Sequence, residues 1–258
     1  MAGAVTYEAE PPVARITIAR EERRNAINAE VVRGIAGALD RAEHDEAVKV
    51  VVLTGAGERA FCAGGDLGGM AEGTRVAQHF VRAEVGDLFK QMRSCRLPIV
   101  ARVNGHALAG GFGLMLACDL VVAADDAEFG TPEVNIGLWP FMISTLIQRN
   151  ISSKIALEMM LTGRRMTAAE AARWGFVNRV TPRAGLDDAV AELTRVLAAK
   201  SPLIVSLGKR SFYASEDMEL PGALDYLAGM LTLCLESEDT VEGVTAFLEK
   251  RPPDWKGR

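Results

Sequence analysis

The chain has 258 residues, 49% of them hydrophobic and 24% charged, with a formal net charge of -5. That length buries a substantial core without disulfides or a structural metal, and the mildly acidic balance argues against a general nucleic-acid or membrane-surface binder. Four cysteines without C-x-x-C spacing read as reduced thiols of a cytoplasmic protein, and the three histidines lie too far apart in sequence to suggest a metal site.

No basic segment followed by an apolar run stands at the N-terminus, so the pattern predicts no secretory signal. Residues 15–19 alternate with period two and read as a strand. Residues 29–44 place Val31, Val32, Ile35, Leu39 and Ala42 at helical spacing behind Asn28 as N-cap. Residues 48–54 form a β-prone run ending at Gly55, a glycine-rich loop extends to Gly69, and an amphipathic helix is predicted over 76–93. A strand follows at 98–103. The stretch 107–124 is almost wholly apolar or glycine, but Asp119 and the cluster Gly110, Gly111 and Gly113 interrupt it. It therefore reads as a short buried helix (112–118) and a buried strand (120–123), not as a membrane span. Beyond Pro140 helices are predicted at 141–149, 153–161, 168–174, 186–199, 202–214 and 223–250, with one short strand at 177–180. Strands early and helices late suggest an α/β core with a helical C-terminal region.

Two glycine-rich loops are the candidates to carry chemistry. Gly55-Ala-Gly-Glu-Arg-Ala60 has the spacing of a dinucleotide fingerprint after a strand, but too many glycines follow for a helix to open there, and the nucleotide reading loses its context. No Gly-Lys-Ser/Thr of a phosphate loop occurs. The second cluster, 105–113, lies between a strand and an apolar helix, where backbone N–H groups are left unpaired. Two readings stand open for these glycines. They allow tight helix–strand packing, or they present two amides to one oxygen, as an oxyanion hole requires.

The motifs Ala60-Phe-Cys-Ala-Gly-Gly-Asp-Leu67, Val103-Asn-Gly-His-Ala-Leu-Ala-Gly-Gly111, Cys118-Asp-Leu, Phe129-Gly-Thr-Pro-Glu-Val-Asn-Ile-Gly137 and Leu161-Thr-Gly163 stand in order along the chain. Arg24-Asn-Ala-Ile-Asn28 precedes them and Ala246-Phe-Leu-Glu-Lys-Arg251 follows. Together they closely resemble the enoyl-CoA hydratase/isomerase (crotonase) superfamily. The resemblance implies an α/β fold, a crotonase-like (ClpP/crotonase) spiral of β-β-α repeats with a C-terminal α-helical trimerisation region. Residues 1–195 would form the core with the acyl-CoA site, and 196–258 the helical region for oligomerisation. It further implies an acyl-CoA substrate whose thioester oxygen lies between the amides of Gly65 and Gly110. Coenzyme A contacts would come from Arg24, Ala26, Ala63, Gly64, Asp66 and Leu67, with Phe247 and Lys250 reaching it from a neighbouring subunit. No metal is implied, and no cofactor, because coenzyme A is part of the substrate. The expected assembly is a homotrimer or homohexamer.

Family hydratases resemble one another in using two glutamates. By position the first is Gly113 here, which exchanges no proton, and the second is present as Glu133. One carboxylate beside a stabilised enolate suits an allylic isomerisation, taking a proton from one carbon and returning it to another. The alternatives are a 2-enoyl-CoA hydratase with a nonstandard second acid, Asp66 or Glu72, and a non-catalytic acyl-CoA-binding homologue. Asp66 itself reads as a helix N-cap, and His106 as a packed or hydrogen-bonded histidine. Trp139-Pro-Phe-Met-Ile143 departs from the glycine-rich stretch of many hydratases, either shaping the acyl pocket or opening a helix.

Overall fold

The computed structural model of the chain describes residues 3–66, 68 and 74–258. A hairpin of β1 (Val5–Glu10) and β2 (Val13–Ile18) leads into helix α1 (Ala29–His44). Three turns of a spiral follow. The first is β3 (Val50–Gly55), β4 (Ala60–Cys62) and α2 (Arg75–Ser94); the second is β5 (Ile99–Val103), β6 (His106–Leu108) and α3 (Gly110–Leu116). The third is β7 (Leu120–Ala124), β8 (Glu128–Gly130), a 3-10 turn over Pro132–Ile136, and α4 (Phe141–Asn150). Then come α5 (Ser153–Thr162), β9 (Arg165–Thr167), α6 (Ala168–Arg173), β10 (Arg179–Thr181) and α7 (Leu186–Ala198). Helices α8 (Pro202–Ser215), α9 (Leu220–Leu235) and α10 (Glu238–Glu249) close the chain. This is the crotonase-type spiral of β-β-α repeats.

Each turn gives one strand to a large sheet, ordered β1-β2-β3-β5-β7-β10, and one to a small sheet, ordered β4-β6-β8-β9. The large sheet is parallel from β2 onward. All six residues of β3 are buried. Val51 and Leu53 face the main core, while Val50 and Val52 pack with Leu186 and Val190 of α7. Burial on both faces is why this strand is a continuous Val/Leu run and β2, with one wetter face, alternates. Between the sheets, Phe176 meets Phe112 and Phe129 edge-on, with ring centroids 5.6 and 6.0 Å away. Helix α1 begins as predicted, with the Asn28 side chain accepting from Val31 N at 2.9 Å.

The structure corrects several sequence expectations. Strands β4, β6, β8 and β9 have three residues each, too few for alternation to register. The last strand lies at 179–181, because Phe176 and Val177 are spent on the core before it begins. The single helix expected over 223–250 is two, broken where Ser237 caps α10 by accepting from Thr240 N at 3.1 Å.

Helix α8 is bound to the core through Asp119, whose two oxygens accept from Lys209 Nζ and from Tyr213 Oη, each at 2.8 Å. Helix α9 buries none of its residues, and Leu220, Leu224, Leu231, Leu233 and Leu235 are exposed. Among the described residues no helix is long and apolar enough to cross a membrane, and no cluster of His, Cys, Asp or Glu offers a metal site.

Helix α3 lies so close to β4 that a Cβ on Gly111 would stand 2.1 Å from Cys62 O. Gly111→Ala should therefore destabilise the fold by roughly 1–3 kcal/mol through overpacking against backbone. Chemical denaturation measures this; an unchanged midpoint would show that the contact yields freely.

Candidate active site

Two buried asparagines fix the loop between β3 and β4. Asn25, in the left-handed region at φ 56° and 1% exposed, donates from Nδ2 to Ala56 O (2.9 Å) and Ala60 O (2.7 Å). Asn104, just past β5, donates to Gly57 O at 2.6 Å and to the same Ala60 O at 3.3 Å, while its Oδ1 accepts from Gly55 N. Neither side chain leaves a donor unpaired. From this anchor the chain runs on against the segment before α1. Ala63 N donates to Arg24 O (3.0 Å), Ile27 N to Gly64 O (2.8 Å) and Asp66 N to Ile27 O (2.8 Å). The pattern skips Gly65, whose N–H faces the other way.

The second amide comes from α3. Ala109 is held at φ 50°, ψ −130°, a conformation alanine rarely adopts, and its N–H donates to Gly130 O at 2.8 Å. That twist turns the N–H of Gly110, the first residue of α3, out of the strand ladder. A Cβ on Gly110 would lie 3.7 Å from Gly65 N, and one on Gly64 (φ 103°) would strike Ala109 Cβ at 2.6 Å. The close approach therefore depends on glycine at 64, whereas a Cβ at 110 would make ordinary contact. Among the described residues neither the Gly65 nor the Gly110 N–H has an acceptor. Gly111 and Gly64 permit close packing, and the same packing leaves the N–H groups of Gly65 and Gly110 near one another.

Register carries the chain towards Glu133 along the same edge of the small sheet. Strands β6 and β8 run parallel with Leu108 opposite Gly130, so the residues after β8 travel beside those after β6. Glu133 lies on the 3-10 turn that follows. Its Oε2 is buried without a partner, as is the hydroxyl of fully buried Thr131. Burial raises the Glu133 carboxyl above the usual carboxylate range.

At Gly113 the space is already filled. One turn along α3 from Gly110, and on the same face, its Cβ position is 2.1 Å from Ile143 Cγ2 and 3.5 Å from Phe89 Cζ. The bulky run ending at Ile143 opens α4 behind Pro140, and Ile143, 3% exposed, occupies this gap.

Among the described residues Asp66 caps no helix. Its Oδ2 accepts from Arg20 Nη2 at 2.8 Å, its Oδ1 from Gly68 N at 3.2 Å, and its N–H is given to Ile27. Arg20 also donates to Ala26 O (2.7 Å), so it clamps the two loops to each other, a role that sequence reading missed. Leu67 and Glu72 lie outside the described residues. Phe247 and Lys250 are on and at the end of α10, which packs chiefly on α9; this chain does not bring them to its own glycine loops. His106 accepts from Glu128 N at 3.2 Å through Nδ1, so it is a hydrogen-bonded histidine. Burial pushes the Cys62 thiol up to about 12, so it is inert at neutral pH.

Beside the glycine loops is an open cavity of about 520 Å³ lined by Arg24, Arg59, Ala63, Leu108, Arg165 and Arg183, among others. Arg165 pairs with Glu128 and Arg183 with Asp126, but among the described residues no acidic side chain pairs with Arg24 or Arg59. The cavity joins Arg24 and Arg59 to the backbone of the first glycine loop at Ala63.

Comparison with known proteins agrees with this geometry. Residues 8–258 match the family model described as enoyl-CoA hydratase/isomerase. Carnitinyl-CoA dehydratase of Proteus mirabilis (strain HI4320) is 37% identical over 241 residues, 92% of each chain, and that of Salmonella agona (strain SL483) is 38% identical over 258 residues, 96% of each. A crystal structure of enoyl-CoA hydratase from Mycobacterium smegmatis superposes with a TM-score of 0.94 at 33% identity, over 98% of this chain and 99% of that one.

The clamp carries a pH signature. Its hydrogen bond to Arg20 holds the Asp66 carboxyl below the ordinary carboxylate range. A depressed folded-state value stabilises the protein fully above about pH 4, and that stability is lost as pH falls through the lowered value. Arg20→Met should remove this acid-side loss and weaken binding at the site. Melting curves at falling pH that coincide for variant and wild type would contradict the clamp.

Proposed function

The chain belongs to the enoyl-CoA hydratase/isomerase family, and from that premise we propose that it moves a double bond in an acyl-CoA thioester, 3-enoyl to 2-enoyl, with Glu133 as its single acid/base. The observation that carries the reading is the pairing of Glu133, a desolvated carboxyl with a buried unpartnered oxygen, with a Gly113 position that has no room for a second acid. The thioester oxygen would receive the N–H groups of Gly65 and Gly110. Their fixed dipoles stabilise the charge that builds on that oxygen as a proton leaves carbon. Glu133 takes the proton from one carbon, the enolate delocalises, and the same carboxyl returns the proton two carbons away. Atoms and charge balance without water.

The phosphates of coenzyme A suit the cavity, where Arg24 and Arg59 are unpaired cations and Ala63 and Gly64 offer close-approaching backbone. The site needs no metal and no cofactor besides the substrate's own coenzyme A. The exposed leucines of α9 suit burial against further copies of the chain, in a homotrimer or homohexamer, with Phe247 and Lys250 delivered to a neighbour's site. A monomeric mass in solution by light scattering would oppose that assembly. We place the enzyme in the cytoplasm, on its reduced thiols.

A second reading, hydration or dehydration, draws on the names of the dehydratase and hydratase relatives. Of the two stand-in acids considered for it, Asp66 is already held by Arg20.

Glu133→Gln should lower isomerase kcat/KM by at least about a hundredfold, the low end of a general acid–base contribution, with acyl-CoA affinity nearly unchanged. In the wild type, kcat/KM should rise with pH through a value above the usual carboxylate range. A raised folded-state value also means that ionising Glu133 costs stability as pH rises, so the Gln variant should be no less stable at neutral pH. Undiminished turnover of 3-enoyl-CoA by the variant would remove Glu133 from the mechanism; a 3-hydroxyacyl product from the wild type would favour hydration.

A further inference from the structure

The absence of an acid at Gly113 is matched by a second change on another helix. Gly113 is three residues after Gly110 on α3, so a side chain there projects from the same face as the oxyanion amide. The place of that side chain is taken from α4: Ile143 Cγ2 lies 2.1 Å and Ile143 Cβ 2.7 Å from where a Cβ on Gly113 would be. Ile143 is 3% exposed, and Phe89 of α2 closes the gap from behind. On the outer side Met142 reaches α2, its Cε 3.1 Å from a Cβ built on Gly86. The first turn of α4 is therefore a plug, driven between α2 and α3 beside the reacting centre. A β-branched side chain with one preferred rotamer in a helix does not swing away to admit a larger residue or a water.

We propose that Ile143 is a specificity-determining residue: it fills the place of a second carboxylate on α3 and walls that side of the site against water, which leaves proton transfer by Glu133 as the only chemistry available to the enolate. The proposal rests on the reading of Glu133 as single acid/base, and it adds the physical reason why the site stays single. A 2-enoyl thioester held next to water and a second acid can take the water oxygen at its β-carbon and a proton at its α-carbon, which is an addition product. One held against an isoleucine side chain has only the carboxyl that made it.

The test is a set of four proteins: wild type, Gly113→Glu, Ile143→Gly and the double variant. Each is assayed for hydration of 2-enoyl-CoA, with the 3-hydroxyacyl product identified by mass, and for isomerisation of 3-enoyl-CoA. Gly113→Glu alone should melt well below the wild type and gain no hydration, because its carboxylate is forced against Ile143. The double variant should melt above that single variant and hydrate about a hundredfold faster than the wild type, in keeping with the addition of one general acid–base group. A stably folded double variant with no gain in hydration would overturn the proposal, as would a Gly113→Glu variant that hydrates as well as the double. If the large side chain prevents folding, Gly113→Ala with Ile143→Ala tests the steric claim alone. The double should melt above Gly113→Ala, and simple additivity would overturn the plug. Failure of the underlying reading shows elsewhere, as undiminished isomerisation by Glu133→Gln, so the two results are separable.

Discussion

The arrangement depends on holding two backbone N–H groups side by side without giving either an acceptor. Left alone, a chain folds such groups into ladders or helices, because an unpaired buried amide is costly. Here the segment from 20 to 27 accepts from the amides of Ala63 and Asp66 and not from that of Gly65, and Ala109, at positive φ, rotates Gly110 out of the small sheet's ladder. The opposing constraint is met by Asn25 and Asn104, which satisfy the loop carbonyls that no strand reaches. The spiral itself serves this end. Successive turns bring the chain to the same edge of the small sheet, so loops more than forty residues apart in sequence become neighbours within one hydrogen-bond length.

Charge is divided between two parts of the molecule. Glu133 is a carboxyl whose burial favours its neutral form. The cations Arg24 and Arg59 line the cavity, which Glu133 does not, and among the described residues neither has an acidic partner. That separation matters, since an arginine beside Glu133 would depress the carboxyl and weaken it as a base. A chain of net acidic charge can thus hold a phosphate-bearing ligand by a few local groups.

What the sequence revealed and what it hid divide along physical lines. Helix α1 with its Asn28 cap and strand β3 are specified by local pattern, and the structure has them where the pattern puts them. The glycines and Glu133 were legible through motif resemblance, because close approach restricts the residue types that fit. The three-residue strands were not legible, since their pairing depends on the strand before them and not on their own composition. The Arg20–Asp66 clamp links residues forty-six apart, and nothing in either neighbourhood announces it. The contact of Ile143 with Gly113 was half visible: both departures from the hydratase pattern stood in the sequence, but only the fold shows that one occupies the space vacated by the other.

That contact also bears on ancestry. A glutamate acquired at position 113 while Ile143 remains would be born into an overpacked core, and a glycine acquired at 143 while Gly113 remains would leave a void. Neither first step is advantageous on its own. The two positions form an epistatic pair, so the packing of the interior opposes a change at either one alone, whatever reaction the site performs.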